Sequence, residues 1–194
     1  MTSGRAVFLD RDGTINRNLF YSDTAQFEGP RADGELQLYP WTISAMASLR
    51  NAGYSLMIVS NQPNFAKGKT PLDSLRAIHE KLIAELRRGD VEVVESYYCL
   101  HRPNSEVPGY STCDCRKPSP RFLFDSAAKY DLDLSRSWMV GDRPTDIECG
   151  RRAGVRTIRL QPDHPSPDPR SDLPRPDYFA ENLLEAASII IHGK

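Results

Sequence analysis

The chain has 194 residues, 39% of them hydrophobic and 26% charged, with a formal net charge of −1. That length fits one domain around one core, the near-neutral charge argues against a dedicated nucleic-acid binder, and no apolar stretch approaches membrane-spanning length. The opening Met1-Thr2-Ser3-Gly4-Arg5 has none of the marks of a secretory signal, so a cytoplasmic location is expected. In that reducing setting, three of the four cysteines lying close to a histidine point to metal rather than disulfides.

In chain order, Ala6-Val7-Phe8-Leu9 is a strand, too short and too apolar for a surface helix. Trp41 to Asn51 has helical spacing at Ile43, Met46, Ala47 and Leu49, with Gly53 as its stop. Ser55 to Val59 is a second buried strand. Leu72 to Arg88 is a helix whose stripe is Leu75, Ile78, His79, Leu82 and Leu86, and Val91 to Tyr98 is a third strand. Cys99 to Pro118 forms an irregular loop, Arg121 to Tyr130 a helix, and Ser137 to Val140 a fourth strand. Thr145 to Ala153 is a helix closed by Gly154, followed by the strand Val155 to Ile158. Pro162 to Pro176 is a proline-rich exposed connection, Tyr178-Phe179 adds a short strand, and Leu183 to Ile191 is the last helix.

Strands alternating with helices predict a single α/β domain over residues 1–194, a Rossmann-like three-layer arrangement with a mostly parallel sheet. Ligands of such sheets gather beyond the carboxyl ends of the strands. Asp10, Ser60, Cys99 and Asp142 each follow a predicted strand, so the fold would collect them along one edge.

Asp10 and Asp12 flank Arg11, with Gly13 and Thr14 next. Carboxylates this close repel unless a cation sits between them or one is protonated. Magnesium suits oxygen ligands and keeps positions open for water and phosphate oxygens. Asp142 could add a ligand, with Asp146 one helical turn later in support. Asp10 is then a candidate nucleophile and Asp12 a candidate acid and base. The bland alternative, a simple Asp-Gly turn, weakens once Ser60, Lys117, Asp142 and Asp146 fall along the same sheet edge.

A second constellation is Cys99-Leu100-His101 with Cys113-Asp114-Cys115. Three sulfurs and one nitrogen make a sufficient tetrahedral zinc set, closed to water and therefore structural. The loop over about 99–118 lacks a core of its own, and a metal would supply its ordering energy. Cys149 has the setting of ordinary packing.

The chain resembles the haloacid dehalogenase superfamily of phosphohydrolases. Phe8-Leu9-Asp10-Arg11-Asp12-Gly13-Thr14 is similar to its first motif and Ile58-Val59-Ser60-Asn61 to its second. Lys117 in Cys115-Arg116-Lys117-Pro118 matches the third, and Gly141-Asp142-Arg143-Pro144-Thr145-Asp146 the fourth. The resemblance implies that Asp10 is the nucleophile, Asp12 the acid and base, and Ser60 and Lys117 the holders of the phosphoryl oxygens. It implies magnesium on Asp10, the backbone carbonyl of Asp12 and Asp142. Within the superfamily the zinc loop followed by Arg-Lys-Pro is similar to heptose 1,7-bisphosphate phosphatases and to histidinol-phosphate phosphatases. The longer span from Arg102 to Thr112 resembles the heptose group, which lacks a large cap domain.

The implied activity is removal of the 7-phosphate from a heptose bisphosphate, a small phosphorylated metabolite, by a monomer with no nucleic-acid or membrane partner. Asn61, Arg116 and Arg143 are candidate substrate-binding residues, Arg116 equally readable as an exposed arginine. Two other readings are a small-phosphate phosphatase acting on histidinol phosphate and a zinc-stabilised binding module without catalysis. Pro63-Asn64 replaces the usual Ser-Gly after the second motif, Arg143 stands where lysine is common, and Asn18 to Leu38 is long for the group. These departures bear on the sugar and not on the reaction.

Overall fold

The computed structural model describes residues 4–164 and 175–193; most of the proline-rich connection expected over 162–176 lies outside them. Eight strands and five α-helices are described, with two short 3-10 turns at Asp33–Glu35 and Leu134–Arg136. The strands are β1 (Ala6–Leu9), β2 (Leu19–Tyr21), β3 (Gln26–Glu28), β4 (Ser55–Asn61), β5 (Glu95–Cys99), β6 (Trp138–Gly141), β7 (Arg156–Leu160) and β8 (Tyr178–Ala180). The helices are α1 (Thr42–Asn51), α2 (Leu72–Arg88), α3 (Arg121–Tyr130), α4 (Pro144–Ala153) and α5 (Leu183–His192).

Six strands form one parallel sheet in the order β5-β4-β1-β6-β7-β8. Its strands read as nearly unbroken apolar runs because both faces are covered. Side chains alternate between the faces, as the strand period of two requires. Val7, Leu9, Leu56, Ile58, Trp138 and Val140 join the core that holds the α1, α2 and α5 side chains. Ala6, Phe8, Met57, Val59 and Met139 face the α3 and α4 side chains. Helix α2 buries Leu75, Ile78, Leu82 and Leu86, a stripe at helical spacing. Each such leucine contributes roughly 1.5–3 kcal/mol.

The chain steps outward from β1 through β4 to β5, then returns to place β6 on the other side of β1. The crevice between β1 and β6 is therefore the point where strand order reverses, the place where open α/β sheets bind ligands. Asp10 and Asp142 follow those two strands directly.

Two features differ from the sequence expectation. The third strand begins at Glu95 rather than Val91, because Val91 is buried and its N–H bonds to Leu86 O at 3.0 Å, closing the α2 terminus. Its hydrophobicity therefore serves helix packing rather than the ladder. The long segment after β1 folds back as the antiparallel β2–β3 hairpin. Both hairpin strands are three residues long and mostly exposed, so they carry little burial pattern. Among the described residues no helix is long and apolar enough to cross a membrane.

Candidate active site

Asp10 sits at the carboxyl end of β1, its N–H bonded to Val140 O at 3.0 Å. The chain then turns sharply, with Gly13 at φ +82° and Gly13 N donating to Asn16 O at 2.7 Å. Glycine adopts this left-handed backbone without steric cost, and a Cβ on Gly13 would run into the Asp142 carboxylate. The turn thus brings the two aspartates together from adjacent strands.

Asp146 enters from the first turn of α4, where its Oδ2 accepts from Arg143 N at 2.9 Å. Lys117 reaches in beneath. Its Nζ lies 2.9 Å from Asp10 Oδ1 and 2.7 Å from Asp146 Oδ1, and it donates to Val59 O at 2.6 Å. Burial disfavours the Lys117 ammonium, but the two carboxylates outweigh that and hold its pKa above an ordinary lysine's.

Asp10, Asp142 and Asp146 offer ligand oxygens within 4.8 Å of one another. Three buried carboxylates face one buried ammonium, and the local charge does not balance. The strain falls on Asp142. Burial first, then the charges of Asp10 and Asp146, push its carboxyl up to about 8. Its Oδ1 is buried without a hydrogen-bond partner. Burial also raises Asp146, against the opposing pull of Lys117. An all-oxygen, anionic, under-satisfied cluster is the donor set that a hard divalent cation such as magnesium takes.

Asp12 is placed apart from these three. Its Oδ1 accepts from Arg11 Nε at 2.9 Å and Asn16 Nδ2 at 3.0 Å. Its Oδ2 accepts from Arg11 Nη2 at 3.0 Å and Gln62 Nε2 at 2.6 Å. Burial works against the charged form, yet Arg11 and these donors hold the Asp12 carboxyl below the usual carboxylate range. Ser60 Oγ, almost fully buried, accepts from the same Gln62 Nε2 at 3.0 Å. Nothing in the sequence pattern marks a role for Arg11, Asn16 or Gln62. Arg11 lies within the first motif, and Asn16 and Gln62 just beyond the first and second, but no periodicity says where a loop side chain points.

The candidate substrate-binding residues occupy three different settings. The Asn61 amide is bound to the backbone of Lys117, Nδ2 to Lys117 O at 3.1 Å and Lys117 N to Oδ1 at 3.0 Å. It sets the position of the lysine. Arg116 is half-buried, with Nη1 donating to His101 O at 3.0 Å. Arg143 is exposed directly after Asp142.

The β2–β3 hairpin forms another wall. Its buried Glu28 receives Arg31 at 2.9 Å and Lys67 at 2.6 Å, which fastens the hairpin to the segment following β4. Gly29 lies against Asp12, where a Cβ would collide with the carboxyl group. Phe27 stacks on His164 with centroids 3.5 Å apart.

The cysteine and histidine cluster lies at the end of β5. Cys99, His101, Cys113 and Cys115 place their ligand atoms within 4.8 Å of one another. Cys99 Sγ is 3.6 Å from Cys113 Sγ and 3.8 Å from His101 Nδ1, and Cys115 Sγ is 3.8 Å from His101 Nδ1. A zinc–sulfur bond of about 2.3 Å gives a tetrahedral edge of about 3.8 Å between sulfurs. The cysteines are free thiols. Burial opposes ionisation of Cys113, yet the backbone N–H groups of Cys115 and Arg116 carry its pKa below an ordinary thiol's. These residues fit a closed, structural zinc. Cys149 packs in the α3–α4 core, as expected.

A family model for HAD-hydrolase-like proteins matches residues 114–186. The chain is 32% identical over 202 aligned positions to the D-glycero-D-manno-heptose-1,7-bisphosphate 7-phosphatase of Chlorobaculum tepidum, covering 100% of this chain and 98% of that one. It is 35% identical over 195 positions to the enzyme of the same name from Thermosynechococcus vestitus, covering 95% and 94%. A crystal structure of D,D-heptose 1,7-bisphosphate phosphatase from B. bronchiseptica, complexed with magnesium and phosphate, superposes with a TM-score of 0.81 at 28% identity, over 98% of this chain and 99% of that chain.

Proposed function

This chain belongs to the haloacid dehalogenase superfamily, in the heptose bisphosphate phosphatase group, and from that premise we propose that it removes the 7-phosphate of D-glycero-D-manno-heptose 1,7-bisphosphate through an aspartyl-phosphate on Asp10. That it is a phosphatase follows from its relatives along the whole chain. The observation that carries the mechanism is the uncompensated anionic cluster of Asp10, Asp142 and Asp146 at the reversal of strand order.

Asp10, the backbone carbonyl of Asp12 and Asp142 would hold magnesium, with Asp146 supporting. The ion would offset the repulsion between the Asp10 carboxylate and a phosphate dianion. Ser60 and Lys117 hold the phosphoryl oxygens by a hydroxyl and an ammonium. An Asp10 oxygen attacks phosphorus and the bond from phosphorus to the sugar oxygen breaks. Asp12, ionised among its four donors in the free protein, takes up a proton from solvent as substrate binds and delivers it to that leaving oxygen. In the second half Asp12 takes a proton from water, the water oxygen attacks the phosphoryl group, and Asp10 and inorganic phosphate are released.

Cys99, His101, Cys113 and Cys115 would hold zinc and brace the loop that delivers Lys117. Their free thiols suit a reducing compartment, the cytoplasm, where the protein would act as a monomer. Arg116 and Arg143 would meet a second phosphate or sugar hydroxyls, and Asn61 would act through Lys117.

The test is a substrate profile. Phosphate release from the heptose bisphosphate should exceed that from histidinol phosphate and other monophosphates by at least about tenfold in kcat/KM, a difference of about 1.4 kcal/mol in transition-state stabilisation. Equal values on all would overturn the sugar assignment. A phosphoryl label trapped by acid quench on the native protein, and absent from Asp10→Asn, tests the intermediate.

A further inference from the structure

We infer that Gln62, together with Arg11, is a positioning residue that ties the acid and base Asp12 to the phosphoryl-holding Ser60; the inference rests on the mechanism proposed above. Gln62 is 4% exposed and its amide is fully engaged. Nε2 donates both to Asp12 Oδ2 at 2.6 Å and to Ser60 Oγ at 3.0 Å, while Oε1 accepts from Arg11 Nη2 at 2.9 Å. Reversing the amide would set its carbonyl against a carboxylate and its NH2 against a guanidinium, so the orientation is determined by its partners. The backbone is held too, with Gln62 N donating to Cys99 O at 2.7 Å.

Arg11 completes the frame. It is 1% exposed, grips Asp12 with two nitrogens, and lies 5.6 Å from the Tyr98 ring centroid. Tyr98 is fixed in turn by a hydrogen bond of 3.0 Å between its hydroxyl and His79 Nδ1. Arg11, Gln62, Tyr98 and His79 also line a partly open pocket of about 310 Å³.

A carboxylate has about four acceptor directions, and Asp12 receives four donors. Its plane is set by that frame. Because Ser60 shares the Gln62 amide, the Asp12 plane is referred directly to the place where the phosphoryl oxygens sit. Ser60 fixes the phosphorus end of the breaking bond and Asp12 serves its oxygen end. Misplacement of a catalytic group by about 1 Å can cost on the order of 100-fold.

Loss of this positioning has a signature that a general loss of structure lacks. An alkyl phosphate needs a proton on its leaving oxygen, whereas p-nitrophenyl phosphate departs as a stable phenolate and needs little acid help. Gln62→Leu keeps the bulk and removes the hydrogen bonds. It should lower kcat/KM for the heptose bisphosphate by about 10- to 100-fold, and that for p-nitrophenyl phosphate by less than about threefold. Arg11→Lys keeps the charge but not the fork and should show the same selectivity, which covers the case of a Gln62 variant that folds poorly. Asp12→Ala is the reference and should show the selectivity most strongly. Equal losses on both substrates for Gln62→Leu and Arg11→Lys, with Asp12→Ala still selective, would overturn the positioning role and leave the acid assignment standing. Equal losses for Asp12→Ala would overturn the acid assignment and this inference with it.

Discussion

The carboxylate cluster and the cysteine loop meet at Lys117, two residues after Cys115, yet are built by opposite means. Asp10, Asp142, Asp146 and Lys117 are each at most 5% exposed, and they project from strand ends, a helix start and one loop residue locked onto β4 through Val59 O and Asn61. The sheet assembles them against their mutual repulsion. The cysteine loop has the reverse character. Cys113 is exposed, the residues between β5 and α3 contain no regular element, and both core clusters pass them by almost entirely. A cation would relieve strain in the first region, whereas in the second it would supply order that packing does not. Metal removal should therefore lower stability through the loop and activity through the carboxylates.

The largest expected effect is on activity alone. Asp10→Asn keeps the shape, removes the proposed nucleophile, and should lower phosphate release by more than about 1,000-fold. Because it also removes one of the repelling carboxylates, the melting temperature should not fall by more than about 2 °C, under about 1 kcal/mol for a chain of this size. Steady-state kinetics and a thermal melt on the same sample check both halves. Retained turnover would displace Asp10 from its role.

Next comes the loop. Cys113→Ser should drop zinc content well below one per chain and lower the melting temperature by about 5–10 °C, the shift expected for a few kcal/mol. Elemental analysis and calorimetry test it, and unchanged zinc would remove the cluster from consideration.

The same contrast governs what could be read in the sequence. The bounds of α2 and α3 match the periodicity, because each buries one stripe on a sheet face. The placement of Asp10, Ser60 and Asp142 toward one edge follows from strand ends in a parallel sheet; Asp10 and Asp142 lie together, and Ser60 is linked to Asp12 through Gln62. Lys117 is harder. It lies outside any helix or strand, where a lysine is usually exposed, and only the motif match lifts it from the surface to 3% exposure. The β2–β3 hairpin is illegible because its strands bury little. The Arg11–Asp12–Gln62 network escapes because partners 50 or 51 residues apart meet through the β1–β4 pairing, and side-chain direction in a turn leaves no pattern along the chain.

A smaller effect separates the two regions by pH. The raised carboxyl of Asp142, about 8 against an ordinary 3.8, means that the folded protein binds more protons than the unfolded chain between those values. Stability from this group is full below the ordinary value and is lost as pH rises toward 8. With zinc retained and no magnesium added, the melting temperature should fall by about 3–5 °C between pH 6 and 8, a change of roughly 1–2 kcal/mol. Added magnesium should raise it more at pH 8 than at pH 6, because binding needs the deprotonated ligand. A larger magnesium effect at pH 6 would contradict the linkage.

The smallest effect tests whether surface charges share in holding the loop. Arg121 at the start of α3 pairs with Asp114, which stands between Cys113 and Cys115, and with Asp125 at 3.2 Å. Its side chain is 51% exposed and that of Asp114 is 74% exposed. Water and salt screen such pairs, and fixing two long side chains offsets much of the attraction, so an exposed pair contributes about 0–1 kcal/mol. Arg121→Ala should then shift the melting temperature by less than about 2 °C and leave zinc content unchanged. A loss approaching that of Cys113→Ser would mean that ion pairs rather than the sulfur and nitrogen ligands order the loop. Repeating the melt in 1 M salt would decide it, since the Debye length there is only about 3 Å, which would weaken an ion-pair scaffold and spare a metal-held one.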